Sequence, residues 1–214
     1  MVHLLNSYKG RLLLIEGLVS GKLPLASVRA LGTGLYADVR STLQVRIPDT
    51  IRITPLEADE LRRFWCRTLA EESGDFKPGC DHASLVALIC YALGVAHAKL
   101  EGEYQRSLPR LDALRGELPS LATSLREVAR VYAEKATLIR EADRLADALR
   151  DHYDVPEKAL YYFRYALADL ECSDSALEQL TRYAMTPRLK HMVLDTVNEC
   201  LEHFPTWAYG QTEE

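Results

Sequence analysis

Several features are scarce in these 214 residues, and each scarcity closes a class of function. No apolar run approaches the roughly 20 residues needed to cross a bilayer. Basic residues are not in excess: 26 Lys and Arg stand against 31 Asp and Glu, and a formal charge of −5 offers nucleic acid no basic patch. Cys66, Cys80, Cys90, Cys172 and Cys200 are odd in number, widely spaced and without a CxxC pair. They build neither a disulfide framework nor a zinc ribbon, and reduced core cysteines are expected. The opening MVHLLNSYKGRLLLIEG has no basic stretch ahead of its apolar residues and no small-residue cleavage site. The expectation is a cytoplasmic protein with neither nucleic acid nor membrane as partner. There is no repeat, low-complexity segment or linker, so residues 1–214 read as one domain.

What is present is helical signal. Hydrophobic residues make up 48% of the chain, enough for a real core. Thr54-Pro55-Leu56-Glu57 and Asp154-Val155-Pro156-Glu157 read as capping boxes with Pro at the first helical position, and Thr186-Pro187 opens a third helix in the same way. Period-3.6 patterns place helices near 7–19, 24–46, 55–73, 82–93, 95–107, 120–150, 157–184 and 187–206. The segment VRIPDTIRIT alternates weakly and reads as an extended connection. The fold class expected is all-α, a single bundle of seven to eight helices. Gly17-Leu18-Val19-Ser20-Gly21-Lys22 imitates a phosphate loop, but it is one residue short, follows no strand and has Leu23 where Ser or Thr is needed.

Side chains placed at about 100° per residue show which polar groups face inward. On 157–184, Tyr165, Asp169 and Cys172 share a face between an apolar side and a charged stripe of Arg164, Glu171 and Glu178. On 55–73, Glu72 stacks with Leu61, Trp65 and Leu69, and His82 follows ten residues later. Asp38 stacks with Leu31, Leu35, Thr42 and Val45 on 24–46. Carboxylates and an imidazole on core faces of separate helices are the ingredients of a metal site in a bundle. Each taken singly also fits a structural hydrogen-bonding role. Glu127, Glu134 and Glu141 border the apolar face of 120–150, with Arg130 placed to pair with Glu134, and read as a solvated stripe. His191, Asp195, Asn198 and Glu202 share a face of the last helix that reads as solvent-facing.

YYFRYALADLECSDSALEQLTRYAMTPRLKHMVLDTVNECLEHFPTWAYG resembles the C-terminal part of the heme-oxygenase-like superfamily. The similar branch holds iron-containing redox enzymes like the chlamydial death-domain-associating protein, and is related to pyrroloquinoline-quinone synthase and TenA-like thiaminases. Phe163, Asp169, Tyr183-Ala184, Thr186-Pro187 and Trp207 stand where that pattern of aromatic pair, HxxxDxxH, Thr-Pro step and closing Trp expects them. FWCRTLAEESGDFKPGCDHASLVALICYALGV resembles the segment carrying a ligand Glu and a ligand His, which fall on Glu72 and His82. The resemblance further implies metal ligation by Asp169, by Glu134, and by Asp38 where the family usually has Glu. Tyr165 and Cys172 stand where the family has the two His of HxxxDxxH, as phenolate or thiolate ligands or as catalytic groups. The implied function is a small-molecule oxidoreductase that uses O₂, with non-heme iron and no heme, in a biosynthetic pathway. A metal-free enzyme and a non-catalytic ligand-binding or scaffold protein are the alternatives, and a homodimer is left open.

Overall fold

A computed structural model of the chain describes residues 8–108, 117–166 and 171–203. Nine α-helices and no strand occur among the described residues, one helix more than the upper expectation. They are α1 (Tyr8–Val19), α2 (Leu25–Ser41), α3 (Ile47–Ile53), α4 (Asp59–Glu72), α5 (His82–Ala92), α6 (His97–Ser107), α7 (Leu121–Tyr153), α8 (Glu171–Tyr183) and α9 (Pro187–His203). At 33 residues, α7 is the spine; α1, α8 and α9 pack along it, while α2 packs against α5 and α6.

The added helix is α3, which occupies the VRIPDTIRIT segment expected to be extended. Helix α2 runs into α3 through a π-helical turn at Thr42–Arg46, in which the Ile47 N–H bonds the Thr42 carbonyl five residues back. Pro48 explains the wide turn. In a regular helix its ring collides with the carbonyl four residues earlier, and widening the turn just upstream relieves that clash. Alternating Ile and Arg hid the helix, because a seven-residue segment is too short for period 3.6 to show.

Two of the three expected helix starts are in fact helix ends. Thr54 closes α3 in an extended conformation, with its hydroxyl donating to the Thr50 carbonyl at 2.6 Å and meeting Ser124 Oγ at 2.8 Å. Trp65 Nε1 donates to the same Ser124 oxygen at 3.1 Å, so these buried hydroxyls tie α3, α4 and α7 together. Asp154 ends α7 in the left-handed region at φ 54°. Beyond it the chain makes a short 3₁₀ turn at Glu157–Ala159 and a second π-helical turn at Tyr162–Ala166, in place of one helix over 157–184. Thr186 does cap: its Oγ1 accepts from the Leu189 N–H at 3.2 Å. The imitation phosphate loop is the end of α1, where the Lys22 N–H bonds the Gly17 carbonyl.

Burial divides the interior into two apolar clusters. One gathers Leu35, Val86, Leu100, Leu145, Leu149 and Leu160 around the C-terminal half of α7. The other gathers Ile47, Leu61, Phe64, Trp65, Leu125 and Val128 around its N-terminal half. Glu134 and Lys135 lie on α7 between the two stretches, so a layer of charge crosses the bundle at mid-height. No helix among the described residues is long and apolar enough to cross a membrane.

Candidate active site

Two helix termini build the centre of this layer. Glu72 is the last residue of α4 and His82 the first of α5, and the loop between them folds back sharply. Gly74 makes the fold possible: it sits at φ +59°, and a Cβ there would come within 2.3 Å of the Cys80 carbonyl oxygen. Asp81 then caps α5, accepting from the Ser84 N–H at 2.8 Å and its hydroxyl at 2.6 Å. The carboxylate of Glu72 and the ring of His82 are thereby set face to face, both buried, with His82 Nδ1 2.7 Å from Glu72 Oε2.

Lys135 completes the group from α7. Its Nζ stands 2.9 Å from Glu72 Oε1 and 2.6 Å from Glu71 Oε1. Burial alone would raise the pKa of Glu72, but Lys135 and His82 outweigh it and hold the carboxyl well below the usual carboxylate range. An ionised carboxylate only accepts, so Nδ1 is the protonated ring nitrogen; in the neutral ring Nε2 keeps its lone pair for a proton or a ligand. The edge of the buried Tyr162 ring meets His82 with centroids 5.6 Å apart, and burial pushes the Tyr162 phenol far above its ordinary pKa.

A second group lies beside the first. Arg46, in the π-helical turn, donates from Nε to Glu127 at 3.0 Å and approaches Glu134 with Nη2 at 3.3 Å, while Arg130 reaches Glu127 at 3.4 Å. Arg46 is held firmly protonated, because Glu134, Glu127 and Asp38 overcome the effect of its burial. Asp38 retains some accessible surface yet is surrounded by protein. Burial, with Glu134 and Glu72 adding to it against Arg46, pushes its carboxyl up to about 7. Local charge imbalance adds to burial: Asp38, Glu71, Glu72, Glu127 and Glu134 share Arg46, Arg130 and Lys135, and no cation among the described residues is bonded to Asp38.

The structure thus brings together Glu72 and His82, with Asp38 and Glu134 within electrostatic reach. Glu127 and Glu134 are not a solvated stripe, and Arg130 pairs with Glu127 rather than Glu134. Glu141 is itself only 12% exposed at its side chain and bonds the exposed Arg140 and Arg144. His191 and Asp195 are exposed, as expected. Asp169 and the side chains of Tyr165 and Cys172 lie outside the described residues. Of the remaining cysteines, Cys90 and Cys200 are buried, whereas Cys66 and Cys80 are exposed and are not the core residues expected of them.

Lys135, Arg46 and Tyr162 are the site residues that sequence reasoning missed. Lys and Arg are ordinarily surface residues, and no period marks a buried one. Tyr162 carries no inward signal when 157–184 is taken as a regular helix, yet it is buried while Tyr161 is half exposed. The available signals were Lys135 directly following Glu134, and Pro48 two residues after Arg46.

In this arrangement both Glu72 carboxylate oxygens already have partners, Oε1 an ammonium group and Oε2 an imidazole N–H, so a metal ion at Glu72 would compete with at least one of them. What these residues form is a histidine oriented by an ionised carboxylate, whose charge is in turn balanced by a lysine. No protein-family model matches the chain, and no curated protein matches it.

Proposed function

We propose that the protein is a metal-free oxidoreductase of the heme-oxygenase-like superfamily, oxidising a small molecule with O₂ inside the bundle. The observation that carries the reading is the buried Lys135–Glu72–His82 series. It fixes the imidazole tautomer and leaves Nε2 as a base within a water-poor layer. The C-terminal sequence resemblance supports the fold assignment, and the related pyrroloquinoline-quinone synthase branch is metal-free.

In this reading His82 Nε2 takes a proton from an acidic O–H, N–H or C–H of the bound molecule. The resulting electron-rich anion gives two electrons to O₂; with two protons in total lost from the substrate, the products are the oxidised molecule and H₂O₂. Asp38, with its carboxyl near neutrality, exchanges the second proton. Glu72 and Lys135 hold the base and balance its charge without touching the substrate.

The test is oxygen uptake and peroxide formation by chelator-treated protein, supplied with fractionated small phenols, quinols and amines. Uptake that survives chelation and is lost in His82→Ala supports the proposal. Uptake that requires added Fe(II) replaces it with the iron reading. A retained small molecule with no uptake from any fraction leaves a ligand-binding or scaffold protein.

A further inference from the structure

One feature of the interior is left unused by the charged layer: an apolar cavity of about 50 Å³ between α1, α2, α5 and α7. Its wall carries no polar atom. The cavity adjoins the site along four of the elements that line it. Leu35 precedes Asp38 by three residues on α2, Val86 follows His82 by four on α5, Leu138 follows Lys135 by three on α7, and Phe163 directly follows Tyr162. The residues one turn away from the charged groups therefore line the void.

Wall chemistry and size select the occupant. A buried water needs two to four polar partners, and the wall offers none, so the space is dry. An aromatic ring does not fit, since benzene occupies an engineered apolar cavity on the order of 150 Å³. What fits is an apolar molecule of a few atoms. We infer that this cavity binds molecular oxygen and holds it one helical turn from His82 and Asp38. The use of the gas as an oxidant rests on the proposed function; its binding does not.

Gly32 supplies a mild way to shrink the space. A Cβ built on it lies 3.2 Å from Cys90 Sγ and 3.8 Å from Leu93 Cδ1, on the cavity wall and in a helix that tolerates Ala. Leu138→Phe is the stronger filler. Methyl NMR of the wild type under O₂ pressure, with argon as reference, should show severalfold greater paramagnetic relaxation at Leu35, Val86 and Leu138 than at buried methyls such as Leu61 and Leu125. Xenon should give shift changes at the same methyls. Gly32→Ala should weaken both effects and Leu138→Phe should abolish them, with thermal unfolding confirming that each variant is folded. If Gly32→Ala does not fold, Leu138→Phe and the wild-type gas titration decide. Relaxation spread evenly over all buried methyls overturns the inference, as does an undiminished effect in the filled variant. Localised gas in a protein that never consumes O₂ upholds the cavity and defeats the oxidase reading.

Discussion

Lys135 Nζ lies 2.9 Å from Glu72 Oε1, while the other oxygen of the same carboxylate faces His82 Nδ1 at 2.7 Å. A lysine from the middle of the longest helix thus sets the charge state of a glutamate at the end of another. That glutamate in turn sets which nitrogen of His82 is free. Removing the lysine strands a buried carboxylate. Lys135→Met is expected to cost about 3–5 kcal/mol in urea unfolding, the usual range for breaking a buried pair from one side. The double variant Lys135→Met with Glu72→Gln should recover a substantial part of that loss. Strictly additive losses would show that the two groups are not coupled.

The same pair should oppose metal uptake. In an anaerobic Fe(II) titration followed by absorbance and metal analysis, wild type should take up little iron at neutral pH. Lys135→Ala should take up more, because Glu72 Oε1 is then open, and the gain should vanish when His82→Ala is added. Tight stoichiometric iron in the wild type would show that the ammonium group yields to the metal.

Asp38 makes stability depend on pH with a definite sign. Its folded pKa, up to about 7, lies above the unfolded value of about 3.9. The folded state therefore binds the extra proton. The stabilisation from this group is fully present below about pH 4 and is lost as pH rises toward 7, at no more than about 1.4 kcal/mol per pH unit. Glu72 has the opposite sign, contributing above its unfolded pKa and less as pH falls. Asp38→Asn should accordingly flatten the decline between pH 4 and 7 and be more stable than wild type at pH 8. An unchanged slope from denaturant melts would place the titration elsewhere.

Arg46 is the sole cation bonded to Glu134 among the described residues, and one of two on Glu127, whose side chain is 3% exposed. Arg46→Met should cost about 3–5 kcal/mol. Arg46→Lys should restore only part of this, since one ammonium group cannot reproduce the two-sided guanidinium contact. Equal stability of Lys and Arg at this position in thermal melts would reduce the residue to a point charge.

Thiol reactivity should divide the cysteines by position. Burial pushes the Cys90 thiol up to about 12 and the Cys200 thiol up to about 11, while Cys66 and Cys80 are exposed. In a Cys172→Ser background, two thiols should react with an aromatic disulfide reagent at once, and two only as the protein unfolds. Four fast thiols would mean that the α5 and α9 packing opens readily.

The sequence by itself determined that this is a helical bundle and that Glu72, His82 and Asp38 face its interior. Inward direction follows from counting around one helix, and helices such as α2 and α4 are long enough for the count to hold. The start of the last helix was equally legible, because Thr186 and Pro187 cap a position that no other element contests. Tertiary structure decided the rest. Whether Thr54 and Asp154 begin a helix or end one depends on which neighbour satisfies the backbone there, and tertiary packing overrode the local N-cap pattern at both. Pro48 and the π-helical turns shift the register of faces, and it is Tyr162 that meets His82. Above all, the partner of a buried carboxylate comes from a distant part of the chain. Lys135 lies 63 residues beyond Glu72 and Arg46 lies 81 before Glu127, and only packing α4 and the π-helical turn against α7 brings those charges within hydrogen-bonding distance.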